Sequence, residues 1–164
     1  MVIILMGVSG AGKTLIGKRL ATQLAWSFYE GDDYHPERNV EKMSQGIALT
    51  DADRAPWLEA LHDLLGALLA QDKSAVLTCS ALKRAYRQRL VYGHDGVCIV
   101  YLRGSYALIR QRLEARRGHF MGAALLASQF EALDEPDASE GVLTVDTSQS
   151  PEIIVEAIKR QLTG

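Results

Sequence analysis

The stretch Gly7-Val8-Ser9-Gly10-Ala11-Gly12-Lys13-Thr14 fits G-x-x-x-x-G-K-[ST] without a gap, and it joins an apolar run at 2–6 to a helical pattern at 13–24. A segment of this kind commits the chain to a strand, a tight loop and a helix, in that order. The glycines let the backbone curl so that successive N–H groups face a common centre. Lys13 adds a mobile positive charge, and the positive end of the helix favours the same anion. Gly7 to Thr14 therefore reads as a cradle for a polyphosphate. The plainer alternative is a glycine-rich turn with a chance lysine, and the strand before and helix after argue against it.

The rest of the chain keeps the same rhythm. Apolar runs at 2–6, 27–30, 75–79, 97–102 and 142–145 alternate with helical patterns at 13–24, 58–69, 83–91, 106–116 and 151–162. This alternation predicts an α/β fold with a five-stranded parallel sheet and right-handed crossovers. A length of 164 residues and 48% apolar composition suit one domain, 1–164, with a single substantial core. Residues 31–56 fit poorly, being polar, interrupted by His35-Pro36 and long for a crossover loop, and are read as a small inserted substrate-binding subdomain. The basic, glycine-flanked stretch at 116–122 reads as a lid.

Charge and composition narrow the partners. Eighteen basic against twenty acidic residues give a net charge of −2, which supplies no cationic field for nucleic acid. Cys79 and Cys98 lie in apolar runs and imply neither a disulfide nor a zinc framework. The first apolar run is short and lacks a basic residue before it, so neither a signal peptide nor a membrane span is expected, and the predicted location is cytoplasmic.

In an open parallel sheet, ligands collect beyond the carboxyl ends of the strands. The residues there are polar: Glu30-Gly31-Asp32-Asp33-Tyr34-His35 after the second run and Ser80 after the third. Phosphoryl transfer to a hydroxyl needs a group to orient or deprotonate that hydroxyl. Strand alternation would set Glu30 and Asp32 on one face with Asp33 pointing away, which makes Asp32 the expected base. The run at 75–79 ends without the aspartate that many phosphate-loop proteins offer to magnesium. Magnesium is therefore assigned to Thr14 directly, with Glu30 or Asp32 helping through water.

Four further words complete the pattern: Gly31-Asp32-Asp33-Tyr34-His35-Pro36; Leu49-Thr50-Asp51 with Asp53-Arg54 and Pro56-Trp57-Leu58; Cys79-Ser80-Ala81-Leu82-Lys83-Arg84 with Tyr86-Arg87; and Gly118-His119-Phe120-Met121 followed by Ser128-Gln129-Phe130. Together with the phosphate loop they resemble the gluconokinase family, in order from Met1 to about Pro136. The resemblance implies a three-layer P-loop kinase fold, often dimeric, that moves the γ-phosphate of ATP to the 6-hydroxyl of D-gluconate. One departure is Gly122-Ala123-Ala124, where the family usually places a proline after the methionine. That bears on lid stiffness, not on the reaction.

An anionic polyol needs a cation for its carboxylate and hydrogen-bonding groups for its hydroxyls. His35, Asn39, Lys42, Arg54, Ser80, Lys83 and Tyr86 supply both, with Arg54 and Lys83 the carboxylate candidates. Trp57 is expected to pack the subdomain onto the sheet, and His119 to be structural in the lid with a possible reach to substrate. By resemblance to related kinases, Arg112 stacks on the adenine and Arg116 meets the transferring phosphoryl. Thr147 and Ser148, which follow the last apolar run, are expected to border the adenine as well. A kinase for another small polyol acid such as shikimate, or a non-catalytic ATP-binding regulator, is the alternative.

Overall fold

A computed structural model of the chain describes residues 1–116 and 122–164. Five strands, β1 (Val2–Met6), β2 (Ser27–Glu30), β3 (Ala75–Thr78), β4 (Val97–Arg103) and β5 (Leu143–Asp146), form one parallel sheet in the order β2-β3-β1-β4-β5. The chain moves outward from β1 to β2, then back past it to β4, so the direction of winding reverses between β1 and β3. That reversal leaves a crevice beyond their carboxyl ends, where the Gly7 N–H donates to the Ser80 carbonyl at 3.2 Å.

Strand β1 is apolar on both faces because helices cover both. Ile3 and Leu5 join Ile16 and Leu20 of α1 (Lys13–Leu24), Ile109 and Leu113 of α5 (Tyr106–Ala115) and Ile154 and Ile158 of α7 (Pro151–Thr163) in one core. Val2, Ile4 and Met6 join Trp57, Leu61 and Leu65 of α3 (Asp51–Ala70) and Leu90 of α4 (Arg84–Val91) in the other. All five residues of β1 are fully buried, each large side chain contributing about 1.5–3 kcal/mol. The expected three-layer architecture is thus present. No helix among the described residues is long and apolar enough to cross a membrane.

The interval read as a subdomain holds a 3₁₀ turn (Gly31–Tyr34), α2 (Glu37–Ser44), the loop 45–50 and the first turns of α3. Helix α3 starts seven residues before the predicted 58, because Thr50 caps it: its hydroxyl accepts from the Asp53 N–H at 3.1 Å while Asp53 Oδ2 accepts from the Thr50 N–H at 2.9 Å. Pro56 lies inside this helix near its start. Of the predicted lid, residues 117–121 lie outside the described residues, and α6 (Ala123–Ala132) follows them.

Candidate active site

The phosphate loop takes the shape its glycines permit, with φ of +83° at Gly10 and +98° at Gly12. It is anchored on three sides: to Ser80 as described, to β5's exit through the Thr147 hydroxyl, which donates to the Ala11 carbonyl at 2.5 Å, and to α6. The α6 anchor is Gln129, whose Oε1 accepts from the Ser9 N–H at 2.7 Å and whose Nε2 donates to Ser9 Oγ at 3.0 Å.

Two cavities open beyond the sheet. The smaller, about 230 Å³, is lined by Gly10, Gly12, Lys13, Thr14, Glu30 and Arg116 among others. The larger, about 800 Å³, takes in His35, Arg54, Trp57, Ser80 and Ser128. Ser9, Lys13, Asp32, Leu125 and Gln129 belong to both. A phosphate-sized chamber and a polyol-sized chamber therefore share one wall, and that wall carries a lysine and an aspartate.

Lys13 donates to the Gly7 carbonyl at 2.8 Å and the Val8 carbonyl at 3.0 Å, and burial pushes its ammonium below the usual lysine range, with Asp32 pulling the other way. Asp32 has a side chain that is 70% exposed, yet the protein atoms crowding its crevice, with Glu30 in addition and Lys13 opposing, hold its carboxyl above the usual carboxylate range. Asp32 sits in the 3₁₀ turn and not on a strand, so strand alternation is not what aims it; the turn is. Glu30 lies at the end of β2, where it accepts from the Thr14 hydroxyl at 2.6 Å and from the Thr78 hydroxyl at 2.5 Å.

His35 is stacked on Trp57 with ring centroids 4.2 Å apart, and burial followed by the Arg54 charge lowers its pKa to about 4. Trp57 is buried, and its Nε1 donates to the Gly31 carbonyl at 2.8 Å. This agrees with its expected packing role.

Several expected acceptor residues do not line either cavity. Lys83 pairs with Asp51 at 2.9 Å, and the Tyr86 hydroxyl donates to the same carboxylate while accepting from Arg54 at 3.1 Å. Of the two carboxylate candidates, only Arg54 reaches the large cavity. Lys42 is taken up by Asp53 at 2.8 Å, and Asn39 is buried behind His35. Each is diverted by an acid or a ring that folding brings beside it.

Arg116 is the C-cap of α5, four residues beyond Arg112. Arg116 lines the small cavity, whereas Arg112 donates to the Thr147 hydroxyl at 3.1 Å and its carbonyl at 2.5 Å. Ser148 is exposed, its N–H donating to Asp146 Oδ1 at 2.8 Å. His119 lies outside the described residues. Gln129, absent from the sequence-derived roles, lies at the centre of the site; its place in a Ser-Gln-Phe word was the available signal.

The oxygen-rich trio of Thr14, Glu30 and Asp32 on one cavity suits a hard divalent ion. Among the described residues no three His, Cys, Asp or Glu side chains are grouped to hold a metal unaided.

A family model described as an AAA domain matches residues 2–136. The chain is 47% identical to the gluconokinase of Gluconobacter oxydans, covering 96% of this chain and 89% of that one. It is 44% identical to the thermoresistant gluconokinase of Escherichia coli, covering 97% and 94%. Among solved structures, a gluconokinase from Sinorhizobium meliloti superposes with a TM-score of 0.85 at 42% identity, over 94% of this chain and 87% of that one. With its phosphate loop, strand-end acids and second chamber arranged as described, the chain belongs to the gluconokinase family.

Proposed function

We propose that the protein transfers the γ-phosphoryl group of ATP to the 6-hydroxyl of D-gluconate, giving 6-phosphogluconate and ADP. The observation that carries this reading is the wall shared by the two cavities, where Lys13 and Asp32 face both. The small chamber suits the triphosphate tail, with loop N–H groups, Lys13 and Arg116 around it. The large one suits a hydroxyl-rich acid, with Arg54 for the carboxylate and His35 and Ser80 for hydroxyls.

In the transfer, the 6-hydroxyl oxygen bonds to the γ-phosphorus as the bond to the β,γ-bridging oxygen breaks; ADP departs and the hydroxyl proton passes to Asp32. A carboxylate held above its usual pKa is better matched to accepting that proton. Lys13 and Arg116 meet the charge on the moving phosphoryl. Magnesium, held by Thr14 with Glu30 and Asp32 in support, would neutralise phosphate charge. Residues 31–56 and 116–122 serve as substrate-binding subdomain and lid, excluding water as the acceptor docks. A homodimer in the cytoplasm is part of the same proposal, and analytical ultracentrifugation tests its assembly.

The test supplies purified protein with ATP, magnesium and separately gluconate, shikimate and other sugar acids. Gluconate-dependent 6-phosphogluconate is expected, with ATP hydrolysis a small fraction of that rate when no acceptor is present. Preference for shikimate, or hydrolysis indifferent to acceptor, overturns the proposal.

A further inference from the structure

His35 and Asn39 are four residues apart, spanning the entry to α2, and so lie close enough to touch. Asn39 is fully buried, and its Nδ2 makes two contacts: it donates to the Asp53 backbone carbonyl at 2.8 Å and lies 3.2 Å from His35 Nδ1. The first contact settles the amide's orientation, since a carbonyl accepts only and turning the amide over would set oxygen against oxygen. With Nδ2 so fixed, its second hydrogen faces His35 Nδ1, which must accept. A neutral imidazole that accepts at Nδ1 carries its proton on Nε2.

Nε2 is the nitrogen turned toward the site, 3.9 Å from Asp32 Oδ1. The opposite tautomer would oppose two N–H groups at Asn39 and face a bare lone pair toward a carboxylate. We propose that Asn39 is a positioning residue that locks His35 as the Nε2–H tautomer, so that the ring presents an N–H donor into the acceptor chamber beside Asp32. The groups facing the ring are consistent with this. Trp57 covers one face, Asp32 attracts the N–H, and Arg54 together with burial keeps the ring uncharged.

The 3.9 Å gap is too long for a direct hydrogen bond yet is spanned by one oxygen making hydrogen bonds of about 2.8 Å to both groups. A hydroxyl seated there accepts from His35 Nε2–H and donates to Asp32. Its proton is then aimed at the base, and its remaining lone pair is left for phosphorus. Among the described residues Asn39 Oδ1 has no hydrogen-bond partner, so the amide is held through its two donors.

The inference rests on the kinase reading only for what the hydroxyl belongs to. The primary test is therefore independent of activity: a two-bond ¹H–¹⁵N correlation spectrum of the ¹⁵N-histidine-labelled full chain at pH 7, with His35 assigned among the four histidines by its loss in His35→Gln. A pyrrole-type Nε2 and pyridine-type Nδ1 are expected; a proton on Nδ1, or an imidazolium, overturns the proposal. Kinetics supply the second arm. Glutamine keeps an N–H donor in place of Nε2–H, so His35→Gln should hold kcat within about tenfold of wild type while His35→Leu loses at least about tenfold more. Equal losses overturn the proposal. Asn39→Asp, whose carboxylate would draw the proton to Nδ1, should lower kcat about tenfold with the KM for ATP unchanged and alter the His35 pattern. If that variant folds with both unchanged, the proposal fails; if it does not fold, the wild-type spectrum and the His35 pair decide. A wild-type enzyme inactive on gluconate would instead refute the kinase reading and leave the spectrum to answer its own question.

Discussion

Replacing Gly31 by alanine should damage stability and catalysis together. A Cβ at Gly31 would lie 1.9 Å from the Thr78 carbonyl oxygen, whereas a carbon–oxygen contact needs about 3.3 Å. One of two backbone segments must therefore move by about 1.4 Å. Neither is free to do so, because the Gly31 N–H donates to the Thr78 hydroxyl at 3.2 Å and its carbonyl accepts from Trp57 at 2.8 Å. Overpacking costs about 1–3 kcal/mol and each loosened hydrogen bond about 1 kcal/mol, so a loss of about 3 kcal/mol is expected. For a domain of this size that corresponds to a Tm lower by about 6–12 °C. Asp32 is the next residue, and a displacement of about 1 Å there should lower kcat about 100-fold. Thermal unfolding by circular dichroism and steady-state kinetics read the two effects. A Gly31→Ala protein with Tm within about 2 °C of wild type and full kcat would refute the close-approach argument.

Asp32→Asn should bind ATP normally yet lose about 10²–10⁴ in kcat, and in wild type the acid limb of kcat/KM should fall at a pH above the ordinary aspartate value of 3.8, because Asp32 must be ionised to act. Binding by calorimetry and a pH–rate profile check both. Thr14→Ala should raise the magnesium concentration needed for half-maximal rate, read from a metal titration; an unchanged titration would remove Thr14 from the metal's shell. Arg87→Met should cost about 3–5 kcal/mol in urea unfolding, because Arg87 is buried and binds Glu140 at 2.8 Å together with the carbonyls of Ala81, Leu82 and Asp134. That hydrogen-bonded arginine holds Glu140 below the usual glutamate range. The pair's contribution is therefore complete above the unfolded glutamate pKa and is lost as pH falls through the folded value; stability that is flat in pH across that window would contradict it.

The phosphate loop was legible in the sequence because its function is local: eight consecutive residues carry both the curl and the charge. The sheet was legible because burial on both faces leaves unbroken apolar runs such as Val2–Met6. The start of α3 is hard to read although Thr50 and Asp53 spell a capping box, because its first turns are polar and so join the polar interval 31–56 in the one-dimensional pattern. The acceptor residues were harder to read. Nothing in the one-dimensional pattern said that Lys83 and Tyr86 would meet Asp51, that Lys42 would meet Asp53, or that Asn39 would turn its amide onto His35. These pairings depend on how α2, α3 and α4 are brought together. Gln129 was hidden for the same reason, being 120 residues from Ser9 along the chain.

The common wall between the chambers also bears on inhibitor design. A single compound carrying a nucleotide at one end and a sugar acid at the other, joined by a short phosphate bridge past Lys13, would occupy both mouths at once. The second half would then bind at an effective concentration set by the tether, so affinity should exceed that of either half alone. Selectivity over kinases that share only the nucleotide side would come from Arg54, His35 and Ser80 on the far side.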